Sequence, residues 1–221
     1  KNRRAGRPEE EPLYTVADAQ RVPEFIDTCE YDQPVHLCDG VDAVFIDAGH
    51  LLGSACIEFW LQEGGIEKKI VFSGDVGNID QPILNDPQPV AETDYLVVES
   101  TYGNRLHDKP KDVRAELTDV LQRAFDRGGS VIIPAFAVGR TQELLYLLRE
   151  IKQKKLVHGH DGFPVYLDSP LAEEATSVFL QCDTDCFDPE TQEVLKSGQN
   201  PIWCPGLQLA LTAEDSKAIN S

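Results

Sequence analysis

The sequence predicts an α/β protein built in two parts. Up to about residue 100 the apolar segments are short, strand-like and separated by tight turns such as Gly64-Gly65, which is typical of antiparallel hairpins. Beyond that point strand-like and helix-like segments alternate, which predicts a parallel sheet with right-handed crossovers. Of the 221 residues 41% are hydrophobic, so a packed core is feasible.

The first part is predicted to hold one helical segment and five strands. Thr15 and Asp18 have the spacing of a capping box, so a helix is expected over residues 15–27, and Pro23 should divide it into two short turns. The predicted strands are residues 35–38, 43–47, 56–61, 69–72 and 95–98. The nearly continuous apolar run in the third strand predicts cover on both faces, and the last strand is expected to be buried.

The second part is predicted to alternate helices with strands. Helices are expected at residues 111–127, 141–155 and 171–181, and strands at 131–133 and 164–167. Gly128-Gly129 should form the C-cap of the first of these helices. From Asp183 onward the chain is expected to be loop-rich, with a final helix starting at Thr212, where Thr212 and Asp215 form a second capping box.

Charge and composition exclude several classes of protein. A net charge of −18 argues against a protein that coats nucleic acid with a whole basic face, although it permits a local phosphate cleft. No apolar run approaches the ~18 residues of a membrane span, so no membrane partner is expected. The six cysteines show no CxxC pair, which predicts reduced thiols and a cytoplasmic protein, or a nuclear one if the parent is eukaryotic. The chain starts at Lys1 and lacks methionine, so we expect a segment of a longer protein.

A histidine and two carboxylates each follow a predicted strand. His50 lies in a glycine-flanked loop, Asp75 follows Ser73-Gly74, and Glu99 closes the strand at residues 95–98. Open sheets place their sites at the carboxyl ends of strands, so these side chains are expected to lie close together. A neutral imidazole is a good zinc ligand, and a carboxylate can bridge two cations. Taken singly, each has a common alternative role as surface, turn or cap.

Five motifs in this order resemble the β-CASP branch of the metallo-β-lactamase superfamily, which includes RNA-processing nucleases of the messenger-RNA 3′-end processing endonuclease type. They are GHLLGS at 49–54, SGD at 73–75, ESTYGNRLH at 99–107, PAFAVGRTQE at 134–143 and LDSPLA at 167–172. The resemblance implies a partial metallo-β-lactamase αββα sandwich followed by an inserted α/β β-CASP domain with a parallel sheet. It divides the chain into a flexible lead-in (1–12), the C-terminal part of the first metallo-β-lactamase half (13–103) and a truncated β-CASP domain (104–221).

The resemblance also implies roles for five residues. His50 and Asp75 match metal ligands, with Asp75 bridging two Zn²⁺ ions, and Glu99 matches an acidic residue beside the metals that orients a catalytic histidine. Asp75 and Glu99 are therefore the catalytic candidates, and a metal-bound hydroxide would attack an RNA phosphodiester. Arg140 and Ser169 lie in motifs that face the cleft, which predicts contact with RNA phosphate, although a helix start and a strand-end cap are equally good interpretations.

Two parts of the family pattern are absent: the His-x-His-x-Asp-His motif and the late histidine motifs. One histidine and one bridging aspartate cannot fill tetrahedral zinc coordination, so the ligand set is incomplete. We therefore predict the central fragment of a zinc-dependent ribonuclease, which alone binds zinc weakly and does not cleave RNA. His158-Gly-His160-Asp161 only superficially matches the missing motif and is predicted to be a surface loop. The apolar faces of residues 43–72 should be exposed and favour association.

Two other functions remain open: a non-catalytic β-CASP scaffold subunit of an RNA-processing complex, and a metallo-hydrolase of a small molecule. The presence of His50, Asp75 and Glu99 favours an enzyme over a scaffold, and the ESTYG and GRTQE motifs disfavour the small-molecule enzyme. RNA is the expected substrate, and the expected partners are a second copy or processing-complex subunits. His36 is predicted to lie on a strand surface, and His107 to stabilise its own loop.

Overall fold

The computed structural model describes residues 12–106, 112–182 and 184–219. The larger of its sheets has five strands, in the order β1-β2-β3-β4-β5, and lies in residues 12–106, which we call the sheet region. The strands are β1 (Val35–Cys38), β2 (Val41–Asp47), β3 (Ala55–Glu63), β4 (Ile66–Phe72) and β5 (Tyr95–Val97). The first four pair antiparallel in sequence, while β5 pairs parallel to β4. The predicted hairpin-built sheet is therefore confirmed.

A short helical segment precedes the sheet. Helix α1 (Val16–Gln20) begins with a capping box, in which Thr15 Oγ1 accepts from the Asp18 N–H and the Asp18 carboxylate accepts from the Thr15 N–H. A 3₁₀ turn (Val22–Phe25) follows, with Pro23 among its first residues. The proline lacks an N–H for a continuing helix, so the predicted division into two turns is confirmed.

Burial in the sheet differs from the prediction. Strand β3 is not covered on both faces, because Trp60 is 38% exposed. Strand β5 is exposed rather than buried, since each of its three side chains is more than half exposed. It is an edge strand, and among the described residues no further strand pairs on its outer side. The expected exposure of apolar side chains is seen at Ile66 and Phe72, and association through them stays a prediction.

Five helices and a two-stranded parallel sheet form what we call the helical region, residues 112–182 and 184–219. The helices are α2 (Val113–Phe125), α3 (Arg140–Gln153), α4 (Pro170–Gln181), α5 (Pro189–Lys196) and α6 (Ala213–Ile219), and the strands are β6 (Val165–Leu167) and β7 (Leu207–Leu209). The C-cap residue of α2 is Asp126 rather than the predicted Gly128-Gly129. Gly128, two residues further on, has a φ of +68° and donates its N–H to the Phe125 carbonyl. The capping box at Thr212 and Asp215 is present.

Two other predictions about the helical region were wrong. Residues 131–133 do not form a strand, and Ile132 is 89% exposed. Such a strand is stable only when a neighbour completes its hydrogen bonds, and no described strand pairs with it. The tail after Asp183 is not loop-rich, since it contains α5 and β7. Helix α5 had a readable signal, because Asp188 is an N-cap residue followed by proline at the first helical position.

The apolar core lies mainly in the helical region. The larger of two clusters contains Ile83, Leu145, Tyr146, Phe179, Phe187, Ile202, Cys204 and Leu207. The smaller contains Leu121, Leu148, Ile151 and Val157. Ile83 comes from the long loop after β4, so the sheet region contributes to the core of the other region. Within the described residues, no helix is long and apolar enough to cross a membrane.

Some predictions fall outside the described residues. The predicted flexible lead-in (residues 1–11 of it) and the predicted loop role of His107 lie outside the described residues. The boundary between residues 103 and 104 stays a prediction.

Candidate functional site

His50 lies in a tight loop directly after β2. The Ser54 hydroxyl oxygen accepts from the backbone N–H groups of His50 and Leu51, each at 3.1 Å. Gly49 has a φ of +60°, and a Cβ at this position would lie 2.6 Å from the Pro87 nitrogen. Only glycine fits this turn without strain, and the result is an exposed His50 side chain on a well-fixed backbone.

The loop that carries Asp75 contacts the His50 loop through the backbone. The Gly77 N–H donates to the Ala48 carbonyl at 2.8 Å. A Cβ on Gly77 would lie only 1.9 Å from the Gly49 carbonyl oxygen, so the position excludes any side chain. The loops that follow β2 and β4 are thereby held together, although β3 lies between these two strands in the sheet. Gly77 was missed at the sequence level, although a glycine two residues beyond Asp75 was visible.

Glu99 is tied to the Asp75 loop. Its Oε1 accepts from the Val76 N–H at 2.8 Å, and its own N–H donates to the Ser73 hydroxyl at 3.0 Å. The pKa of Glu99 is lowered, first by the Val76 N–H and then by a hydrogen bond from Thr101, with a smaller electrostatic contribution from the nearby His50. The carboxylate is therefore held ionised between His50 and the residue after Asp75.

Asp47, which precedes the His50 loop, has the opposite electrostatic environment. Partial burial raises the pKa of its carboxyl, the Gly49 N–H that it accepts at 2.8 Å lowers it, and the nearby Asp32 raises it again. Sequence reasoning did not identify Asp47 as part of the site, because its role depends on a hydrogen bond within the loop and on burial.

The described residues do not form a complete metal site. Among them, no group of three His, Cys, Asp or Glu side chains is arranged so that it could hold a metal ion. His50 and Asp75 offer donor atoms that suit zinc, but two donors are fewer than the four that a tetrahedral zinc site needs. A zinc ion therefore does not fit the described residues alone, and the ligand roles of His50 and Asp75 stay predictions.

Arg140 is placed next to the His50 loop. It is the first residue of α3, and a Cβ on the preceding Gly139 would lie 2.5 Å from Leu51 Cδ2, so the start of α3 touches the loop. The Arg140 guanidinium is exposed and pairs with Glu143 at 2.5 Å. The structure thus places the start of α3 against the His50 loop, while contact of Arg140 with RNA phosphate stays a prediction.

Ser169 acts as a helix cap. Its hydroxyl oxygen accepts from the Ala172 N–H at 3.2 Å at the start of α4. This is the structural interpretation considered from the sequence, and contact with phosphate stays a prediction.

The loop with His158 and His160 is a surface feature, as predicted. His160 Nε2 lies 3.0 Å from Asp126 Oδ1, and the Gln122 side chain bonds to the backbone N–H and carbonyl of His158. His36, also as predicted, lies exposed on β1, where it pairs with Asp42 at 2.9 Å.

Comparison with known proteins identifies relatives across nearly the whole chain. Residues 141–221 match the Beta-Casp domain. Ribonuclease TTHA0252 of Thermus thermophilus is 33% identical over 213 residues, which cover 96% of this chain and 46% of the relative. The RNase J-like protein of Methanocaldococcus jannaschii is 32% identical over 86% of this chain and 44% of its own length.

A third relative is eukaryotic. Cleavage and polyadenylation specificity factor 73 of Drosophila melanogaster is 35% identical over 77% of this chain and 24% of its own length. The chain thus spans about half or less of the length of these relatives. Together the matches establish its family: the chain carries a Beta-Casp domain, and its homologues are β-CASP ribonucleases.

Proposed function

We propose that this chain supplies one side of the active site of an RNA-cleaving hydrolase. The observation that carries the proposal is the junction of the His50 and Asp75 loops, where Gly77 donates to Ala48 and Glu99 accepts from Val76. One bond joins two backbone groups and the other joins a backbone N–H to the Glu99 carboxylate. Together they hold the three loops in place, which is the preorganisation that a catalytic site requires. Ribonuclease relatives that match most of the chain support the same class of reaction.

Each residue of the junction has a proposed task. His50 presents an exposed imidazole, and Asp75 an exposed carboxylate, from loops that cannot move independently. Glu99, held ionised, orients a positively charged or hydrogen-donating group beside it. The described residues do not complete a zinc site, so the proposal rests on what these side chains hold in place and includes no step through a metal.

RNA is the proposed substrate, and Arg140 is its proposed phosphate contact. The guanidinium lies exposed at the N-terminus of α3, which is favourable for an anion, and it follows directly on the residue that touches the His50 loop. Glu143 pairs with Arg140 and fixes its orientation, but it also lowers the net positive charge offered to phosphate. Ser169 would contact phosphate only through the face of its hydroxyl that does not cap α4.

The proposal is tested in the longer parent protein with a labelled RNA. Asp75→Ala should abolish cleavage, because the carboxylate at the junction is lost while the backbone contacts of Gly77 remain. Glu92→Ala, which removes an exposed carboxylate away from the junction, is the matched control and should leave cleavage unchanged. Full cleavage by Asp75→Ala would contradict the proposal.

The 221-residue chain by itself is expected to bind zinc weakly and to leave RNA intact. Zinc binding measured by calorimetry should be much weaker than in the parent, and the labelled RNA should remain uncut. Cleavage by the purified chain that Asp75→Ala abolishes would show that its own residues are sufficient.

A further inference from the structure

Residues 77–88, which we call the strap, form hydrogen bonds to the start of the His50 loop at both of their ends. At the first end the Gly77 N–H donates to the Ala48 carbonyl. At the other end the Gln88 N–H donates to the Asp47 carbonyl at 3.0 Å, and the Gln88 side-chain oxygen accepts from the Asp47 N–H at 3.2 Å. The backbone just before His50 is therefore fixed by the strap on two sides.

The middle of the strap is anchored in the helical region. Ile83 is buried in the larger apolar cluster, and Leu84 forms an isolated antiparallel bridge with Phe187. The Asn85 side-chain amide donates to the Asp185 carbonyl at 2.8 Å. The strap thus connects the His50 loop to a turn more than a hundred positions further along the chain.

One carboxylate lies at the centre of this anchor. Asp188 Oδ2 accepts from the Ile83 N–H at 2.7 Å, and the Asp188 N–H donates to the Ile83 carbonyl at 2.9 Å. Its other oxygen, Oδ1, accepts from the Thr191 N–H at 2.6 Å and so caps α5. Asp188 therefore joins the start of a helix to the strap, with both oxygens in use.

A second contact follows the same route. A small cavity is lined by Leu51 and Leu52 of the His50 loop, by Leu84 of the strap and by Cys186 next to the anchor. Leu52 also packs against the cluster that contains Ile83. The loop, the strap and the turn before α5 therefore share one packing unit, and displacement of one changes the packing of the others.

We infer that Asp188 is a positioning residue for the His50 edge of the site. It fixes the strap, and the strap holds the His50 loop against the loop that carries Asp75. The inference rests on the proposed function only in assuming that His50 and Asp75 act together in one active site. It assigns to a residue of the helical region the task of setting the geometry between two loops of the sheet region.

Asp188→Asn tests this role, because an asparagine has one carbonyl oxygen and serves only one of the two N–H donors. Asp112→Asn is the matched control: Asp112 caps α2 through a bond to the Ala115 N–H at 3.0 Å. Asparagine is itself a good N-cap, so the control should change little. Amide hydrogen exchange is measured by NMR on the whole 221-residue chain, with amides of β3 and β4 as the reference for global unfolding.

In Asp188→Asn the amides of Gly77 and Gln88 should exchange at least about tenfold faster, because one hydrogen bond to a charged acceptor is lost. Amides of β3 and β4 should be unaffected. The ring cross-peak of His50 should shift at constant pH, while that of His36 stays in place. Asp112→Asn should show none of these changes.

Unchanged exchange at Gly77 and Gln88 would overturn the inference, and so would an equal acceleration of all amides. If Asp188→Asn does not fold, Asn85→Ala gives a second test, since it removes an anchor bond without touching a helix cap; acceleration at Gln88 supports the inference and its absence overturns it. The readout needs neither RNA nor metal. The positioning role can therefore fail while the Asp75 test succeeds, and the reverse also holds.

Discussion

The sheet region and the helical region are stabilised in different ways. The sheet region depends on backbone pairing: a seven-residue antiparallel register joins β2 to β3 and another joins β3 to β4, yet few of its side chains are fully buried. The helical region has little sheet but contains both apolar clusters. Hydrogen bonds of the backbone thus define the edges of the candidate site in the sheet region. Side-chain packing in the helical region anchors these edges.

The sheet region also contains a buried ion pair. Removing one partner of this pair should produce the largest effect on the free energy of unfolding. Lys69 Nζ lies 2.7 Å from Glu58 Oε1, with side chains only 6% and 9% exposed. Lys69→Ala leaves the Glu58 charge buried without a partner, so the free energy of unfolding should fall by about 3–5 kcal/mol. Urea denaturation followed by circular dichroism measures the change.

Two variants control this prediction. Lys68→Ala removes a neighbouring lysine that is exposed and pairs with Asp94 on the surface, and its effect should be much smaller. The double variant Glu58→Leu with Lys69→Met should recover most of the lost stability, because no charge is then buried. If the double variant is as unstable as Lys69→Ala, packing rather than charge explains the loss.

Ile83→Ala should have the next largest effect on the free energy of unfolding. It tests whether Ile83 anchors the sheet region to the helical region. Ile83 belongs to the sheet region by sequence but is buried in the cluster of the helical region. Removal of its side chain should lower the free energy of unfolding by about 2–5 kcal/mol. Ile79→Ala is the control, because Ile79 lies in the same loop and is exposed. Equal denaturation midpoints for the two variants would contradict the anchoring role.

Gly77→Ala should lower the free energy of unfolding less than Ile83→Ala does, but it should change the geometry of the candidate site more. The added Cβ would overlap the Gly49 carbonyl oxygen, so the His50 and Asp75 loops must separate. Overpacking of this kind typically costs about 1–3 kcal/mol. Gly162→Ala is the control, because a Cβ at Gly162 would meet no other atom and the backbone there is not left-handed. A His50 NMR signal that shifts in Gly77→Ala and not in Gly162→Ala is expected; identical spectra would contradict the close contact.

The smallest predicted effect concerns alkaline stability of the helical region. Burial raises the pKa of Tyr146 to about 12, above the usual value of 10.0. The unfolded chain loses this proton first, so the contribution of Tyr146 is intact below pH 10 and is lost as the pH rises through about 12. At pH 11 the loss should be about 1 kcal/mol.

Tyr146→Phe should remove that part of the alkaline loss, as seen in unfolding curves at pH 9 and pH 11. The loss will not vanish, since burial also raises the pKa of Tyr31 to about 12. The same pH dependence in Tyr146→Phe as in the unmodified protein would contradict the assignment.

Local signals predicted the sheet well and burial poorly. The bounds of β1 match the prediction because alternation and turn residues act over a few positions. The run at 95–98 and that at 131–133 looked alike, as apolar and strand-like, yet only the former pairs, through β5 with β4. Whether an apolar run pairs or is covered depends on partners far away in the chain, and local sequence does not specify them.

In the candidate site, too, local features were predicted from the sequence and contacts between distant loops were not. The order of the motifs predicted that His50, Asp75 and Glu99 lie at neighbouring strand ends, and the bond from Val76 to Glu99 follows from that arrangement. Gly77 and Asp188 were not predicted, because their roles come from contacts with loops distant in sequence. The roles of the site residues in catalysis or metal binding stay predictions.

The open side of β5 has a consequence for how the protein behaves in solution. In the part of the chain that the structure describes, no strand pairs with the outer side of β5, and its side chains are apolar and exposed. Such an edge strand is a template for another strand. Pairing between the β5 strands of two molecules is a second-order process, so its rate rises with the square of the protein concentration. Diluting the sample should therefore slow this association and preserve the monomer.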